Sequence, residues 1–166
     1  MYRLFWLFLV KILDMVTIEI PVSQYIKKYL ISVYGTNYKL SLKDDFGILV
    51  LNCLQKKTYY QYKNEKEDRI TSFPVKISIS QFDKYGCLIT EKQLYEIYKT
   101  LDYQFRGAIY RAAIVNNIRF KIDYKDSIWA HLESYDITDE DISWETIRKD
   151  FNRKKLRIKE QLFLVA

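Results

Sequence analysis

The sequence predicts an α+β protein: a small mixed α/β unit of three to four strands and two helices over residues 15–86, then a helical unit over 87–160 that ends like a helix-turn-helix at 124–157. Three observations predict it. Two segments of the first half, "VTIEIP" and "FPVKISISQF", alternate apolar and polar residues with the period of a strand. From Thr90 onward the apolar residues return every three or four positions, the period of a helix. With 4 Gly and 2 Pro in 166 residues the chain holds no flexible linker, and it shows neither an internal repeat nor a low-complexity tract.

The elements follow in order. Residues 1–14, "MYRLFWLFLVKILD", place Arg3 ahead of a short apolar run that Lys11 and Asp14 interrupt, with no small-residue cleavage site. The run is well below the roughly 20 residues that span a bilayer. It is expected to be a translated extension ahead of Met15 or a short amphipathic helix, and no membrane partner is expected. "VTIEIP" is a strand ending at Pro21. Ser23 is placed to cap a helix through "QYIKKYLISVY", with Ile26, Leu30 and Val33 or Tyr34 on one face, and Gly35 stops it. "NYKLSL" reads as a second strand. "KDDFGILVLNCLQKK" opens on acids and closes on lysines, as a helix dipole prefers, against the weak helix formers Gly47 and Val50. "TYYQY" reads as a strand and "KNEKEDRITS" as an exposed loop. "FPVKISISQF" sets Val75, Ile77 and Ile79 on one strand face and ends at Asp83-Lys84-Tyr85-Gly86.

In the second half, Thr90 and Gln93 form a capping box. Leu94, Ile97, Leu101 and Phe105, then Ala108, Ala112 and Ile114 or Val115, carry one helix to Asn116 or Asn117, with Gly107 as a candidate kink. "IRFKIDYK" is either a strand or a turn into a helix bearing Ile128, Trp129 and Leu132. Thr138 with Asp141 marks a short capped turn, and Ser143 caps the last helix. At about 100° per residue, Trp144, Ile147, Phe151 and Ile158 share a core-facing arc. Thr146, Lys149, Arg153 and Arg157 form the opposite stripe, with Asn152 beside it.

That stripe is the strongest functional signal. Ser143 to Glu160 carries seven bases against three acids, a net of +4, and the whole chain carries +6. Arginine and lysine can bond guanine O6/N7 or neutralise phosphates, and asparagine can pair with adenine. The expected duplex-DNA contacts are Lys149, Asn152, Arg153 and Arg157, with Lys154 and Lys155 on the backbone. Against this, Glu133 to Asp141 holds five acids and no Lys or Arg, and Glu145 follows at the end a recognition helix usually inserts. Helix capping and the dipole explain these acids without DNA. A solvated basic helix is therefore the competing interpretation.

The run "VKISISQFDKYGCLITEKQLYEIYKTLD", then "KDSIWAHLESYDIT" and "EDISWETIRKDFNRKK", resembles small uncharacterised proteins of phages and mobile elements of Bacteroides-type bacteria. The resemblance covers residues 75–155 and is most specific from Asp136 to Arg153. It implies a mobile-element origin and a helix-turn-helix end, and it carries over no catalytic residue.

Other chemistries find little support. His131, the sole histidine, sits between Ala130 and Leu132 in a helical stretch and reads as structural. The acids Asp136, Asp139, Glu140 and Asp141 lack the glycine and terminal glutamate of a calcium loop. Asp44-Asp45 with Glu65-Lys66-Glu67 is a weak nuclease-like set. "QKKTYYQYKN" interleaves bases and tyrosines as single-strand binders do, though a packed tyrosine-rich strand explains it equally. Cys53 and Cys87 sit beside leucines as buried reduced thiols. The expectation is a cytoplasmic, non-enzymatic DNA-binding accessory or transcription-regulating protein with no cofactor, metal or small-molecule substrate. The alternative is a protein-interaction module, such as a homodimer.

Overall fold

The computed structural model describes residues 15–56 and 71–163. The N-terminal segment 1–14, the expected strand "TYYQY" and nearly all of "KNEKEDRITS" lie outside them. Among the described residues are two strands and six helices: β1 (Met15–Val22), α1 (Gln24–Tyr34), α2 (Asp45–Cys53), β2 (Thr71–Ser78), α3 (Ile79–Tyr85), α4 (Glu91–Phe120), α5 (Tyr124–Ser134) and α6 (Trp144–Phe163). The fold is mixed α and β, as expected. The chain forms two compact units. One gathers β1 with Tyr34–Lys99, and the other gathers Ser23–Val33 with the chain from Thr100 onward.

In the first unit β1 and β2 pair antiparallel, from Met15 against Ser78 to Val22 against Thr71. Alternation does what period two requires: Ile20 and Val22 on one strand, Phe73, Val75 and Ile77 on the other, are fully buried. Tyr34, Tyr38, Phe46 and Phe73 add an aromatic cluster, with Tyr38 and Phe46 centred 5.2 Å apart. The expected three to four strands become two. "NYKLSL" makes only a one-residue parallel bridge to β2, through Leu40 N to Lys76 O (2.8 Å) and Lys76 N to Tyr38 O (2.9 Å). It goes no further because the Ser41 carbonyl turns onto Gly47 of α2, where any Cβ would collide with it. Gly47, which looked like a weakness in a helix, is what permits that contact.

β2 also stops earlier than its alternation suggests. Ser78 caps α3, its Oγ accepting from Gln81 N (3.3 Å) while Gln81 Oε1 accepts from Ser78 N (3.1 Å). Ile79, expected on the buried strand face, therefore opens a helix and is 41% exposed. The local capping energy outweighs the strand pattern. Asp44 caps α2 by accepting from Gly47 N at 2.7 Å, and Thr90 and Gln93 form their capping box at the head of α4.

In the second unit α1 buries Ile26 and Leu30, and Gly35 ends it at φ 77°. Ser23 begins it through its carbonyl, which accepts from Lys27 N; its hydroxyl is buried without a hydrogen-bond partner. α4 runs unbroken past Gly107 to Phe120. Its buried side turns after Phe105 toward Ile109, Tyr110 and Ala113, leaving Ala108 exposed. "IRFKIDYK" is thus neither strand nor helix start. It is the last turn of α4, a left-handed Lys121 (φ 59°), and Asp123 capping α5 by accepting from Lys125 N at 2.7 Å. Ile128 and Leu132 of α5 join the core with Ile147, Phe151 and Ile158 of α6. Among the described residues no helix is long and apolar enough to cross a membrane.

Candidate nucleic-acid interface

The candidate surface is built on α6, and its geometry begins in the loop before it. Asp136 takes a left-handed conformation (φ 56°), tolerable for Asp. Asp141 accepts from Thr138 N at 2.9 Å and Thr138 Oγ1 at 3.2 Å, closing the expected turn. Lys28 of α1 then donates to Asp141 Oδ2 and to the Asp136 carbonyl, each at 2.7 Å. Asp139 Oδ1 accepts from Trp144 N at 2.6 Å, and Ser143 Oγ from Thr146 N at 3.4 Å. The acids at the head of α6 are therefore largely occupied by capping and by one lysine. Burial works against the Asp141 charge, but Lys28 and Thr138 hold its carboxyl below the ordinary range.

Ile147, Phe151 and Ile158 anchor one side of the helix. Trp144 departs from the expected arc: it is half-buried and stacks on Trp129, ring centres 5.9 Å apart. At the first turn of α6 the neighbour is another half-buried ring, not the core. Thr146, Lys149, Asn152 and Arg153 line one shallow depression on the opposite side, and Arg157 is exposed one turn on. These are the stripe residues. Lys154 and Lys155 lie off it: Lys154 donates to Asp150 Oδ2 at 2.8 Å, and the Lys155 ammonium sits 3.8 Å from the centre of the Tyr124 ring.

The charges on the stripe are not all free. Glu145 accepts from Arg148 at 2.9 Å and lies 3.3 Å from Lys149, and these two cations depress its carboxyl to about 2. Arg153 Nη2 donates to Asp150 Oδ1 at 3.0 Å. Asn152 and Arg157 have no hydrogen bond or ion pair among the described residues.

Asp150 is the residue that sequence reasoning left unused. It is 6% exposed, and its Oδ2 accepts from the buried Tyr110 Oη at 3.0 Å as well as from Lys154. Arg106 of α4 approaches the same oxygen at 3.8 Å and donates to Asp102 Oδ1 at 2.7 Å, where Tyr25 also donates at 2.8 Å. Burial, then the Asp150 charge, raises the Tyr110 hydroxyl, so it stays a donor. A signal existed in the sequence: Asp150 falls between Ile147 and Phe151, at the edge of the apolar arc. An acid there is expensive unless paired.

Other candidates are placed as follows. Asp44 is a helix cap that also accepts from Tyr38 Oη at 2.7 Å, and Glu65, Lys66 and Glu67 lie outside the described residues. Most of "QKKTYYQYKN" does too. His131 is half-buried, its Nε2 without a hydrogen-bond partner. Cys53 and Cys87 are half-buried and free. Among the described residues no group of three or more His, Cys, Asp or Glu could hold a metal ion. No protein-family model, curated protein or solved structure matches this chain.

Proposed function

We propose that the chain is a non-enzymatic, cytoplasmic DNA-binding accessory or regulatory protein that meets duplex DNA with the outward side of α6. The observation that carries this reading is the shared depression of Thr146, Lys149, Asn152 and Arg153, with Arg157 beyond it, on a helix whose other side is anchored in a core. α5, the Lys28-held loop and α6 then act as a helix-turn-helix-like unit. The resemblance of residues 75–155 to phage and mobile-element proteins favours a regulatory role in such an element. The occupied acids at the helix head lessen the repulsion that the sequence raised against DNA, while the Glu145–Lys149 and Asp150–Arg153 pairs temper the stripe. Phosphate contacts are expected to supply most of the affinity.

The test is a salt titration of duplex binding. Affinity should fall steeply with salt, and Arg153→Ala with Arg157→Ala should reduce the slope by about 2, roughly one per lost contact. Absence of binding at low salt ends the reading.

A second reading, a homodimer or partner-docking module, is favoured by the corner between α4 and α5. Ile118, Phe120 and Ile122 are exposed there, Phe120 by 66%. Concentration-dependent self-association by light scattering, without duplex binding, supports this reading over the first.

A further inference from the structure

We propose that Asp150 is a positioning residue that sets Arg153 to read a guanine edge, so that duplex recognition by α6 is sequence-selective. The proposal rests on the duplex-binding reading above and assigns different work to the two stripe arginines.

Arg153 is tethered and exposed at once. Its Nη2 donates to Asp150 Oδ1 at 3.0 Å, while its side chain remains 77% exposed. A guanidinium so held has its rotamer chosen before a ligand arrives and keeps four of its five N–H groups for it. The anchor is itself fixed. Asp150 is buried, and its second oxygen accepts from Tyr110 Oη at 3.0 Å and Lys154 Nζ at 2.8 Å, with Arg106 Nη1 at 3.8 Å. Tyr110 is fully buried on α4, so the orientation of Arg153 is referred to the core of the unit and not only to its own helix.

Arg157 is the contrast. It is exposed and has no hydrogen bond or ion pair among the described residues. A mobile cation serves a phosphate well, because phosphate contacts ask for charge more than direction. A held planar fork serves guanine, whose O6 and N7 present two acceptors at fixed spacing in the major groove. Asn152, adjacent and free of partners among the described residues, carries the amide that pairs with adenine. Arg153 is thus the direct reader, Asp150 acts through it, and Arg157 neutralises backbone.

The experiment selects duplexes from a random-sequence pool with the full chain and follows binding of the winners by fluorescence anisotropy across salt. The wild type should enrich a guanine-containing site, and 7-deazaguanine there, which lacks N7, should weaken binding by on the order of 10-fold. Arg153→Lys and Asp150→Asn should flatten the enrichment with the salt slope nearly kept. Arg157→Ala should keep the enrichment and lower the slope by about 1. Arg153→Lys leaves Asp150 and Tyr110 in place, so its result stands even if Asp150→Asn folds poorly. Salt-dependent binding with no enriched site, or enrichment that Arg153→Lys does not change, overturns this proposal and leaves duplex binding standing. No duplex binding at low salt overturns both.

Discussion

Lys28 Nζ and Asp141 Oδ2 meet at 2.7 Å, joining residues 113 positions apart and fixing the loop that leads into α6. The same ammonium accounts for the Asp136 carbonyl beside the left-handed turn. In Lys28→Met the amides of Ile137 and Ile142, bonded to Leu132 O and Thr138 O, should exchange faster, with little change at the Ile147 amide inside α6. Asp141 is held below the ordinary carboxylate range, so its unfolded form takes up a proton first as pH falls. The stabilisation is present above that range and is lost as pH drops through the folded value. The difference in stability between wild type and Lys28→Met should therefore shrink toward zero in strong acid, measured by urea denaturation at stepped pH.

Asp150 and Tyr110 are tied in the same unit by a buried hydrogen bond, and the two ends of that bond should respond unequally. Asp150→Ala strands the Tyr110 hydroxyl with only a 3.4 Å contact to the Ile147 carbonyl and removes the partner of Lys154. A loss of about 2–4 kcal/mol is expected in urea denaturation. Tyr110→Phe leaves Asp150 with Arg153 and Lys154 and should cost about 1 kcal/mol. Equal costs would mean that the carboxylate does not depend on its cations.

Two glycines with similar φ should also separate. Gly35 (φ 77°) has open space around an added Cβ, so Gly35→Ala should cost about 1 kcal/mol from backbone strain alone. At Gly86 (φ 86°) a Cβ would collide with the Gln55 carbonyl and the Lys56 amide, where Gln55 bridges Leu88. Gly86→Ala should cost about 3 kcal/mol or more, the strain being joined by an unavoidable clash. Comparable thermal unfolding of the two variants would count against the close approach.

On α6, Ile147 is fully buried and Leu156 is 70% exposed. Ile147→Ala should destabilise by about 3–4 kcal/mol, and Leu156→Ala by no more than about 0.5 kcal/mol. If Leu156→Ala changes self-association without changing stability, Leu156 belongs to an interface.

By itself the sequence determined what depends on neighbours along the chain. The alternation at Val75 and Ile77, the capping box of Thr90 and Gln93, the stop at Gly35 and the Ile147–Phe151–Ile158 arc are all local, and each stands in the structure. The stripe of Lys149, Asn152, Arg153 and Arg157 was legible for the same reason, since helical geometry alone puts them outward. Tertiary structure decided what depends on partners far away. "NYKLSL" fails to become a strand because Gly47 of α2 receives the Ser41 carbonyl. Asp141 turns from an acid at the helix head into the partner of Lys28, and Asp150 from one more charge into the anchor of Arg153. A periodicity records which side of an element is apolar. Which charges are spent on one another depends on distances between elements that no spacing along the chain contains.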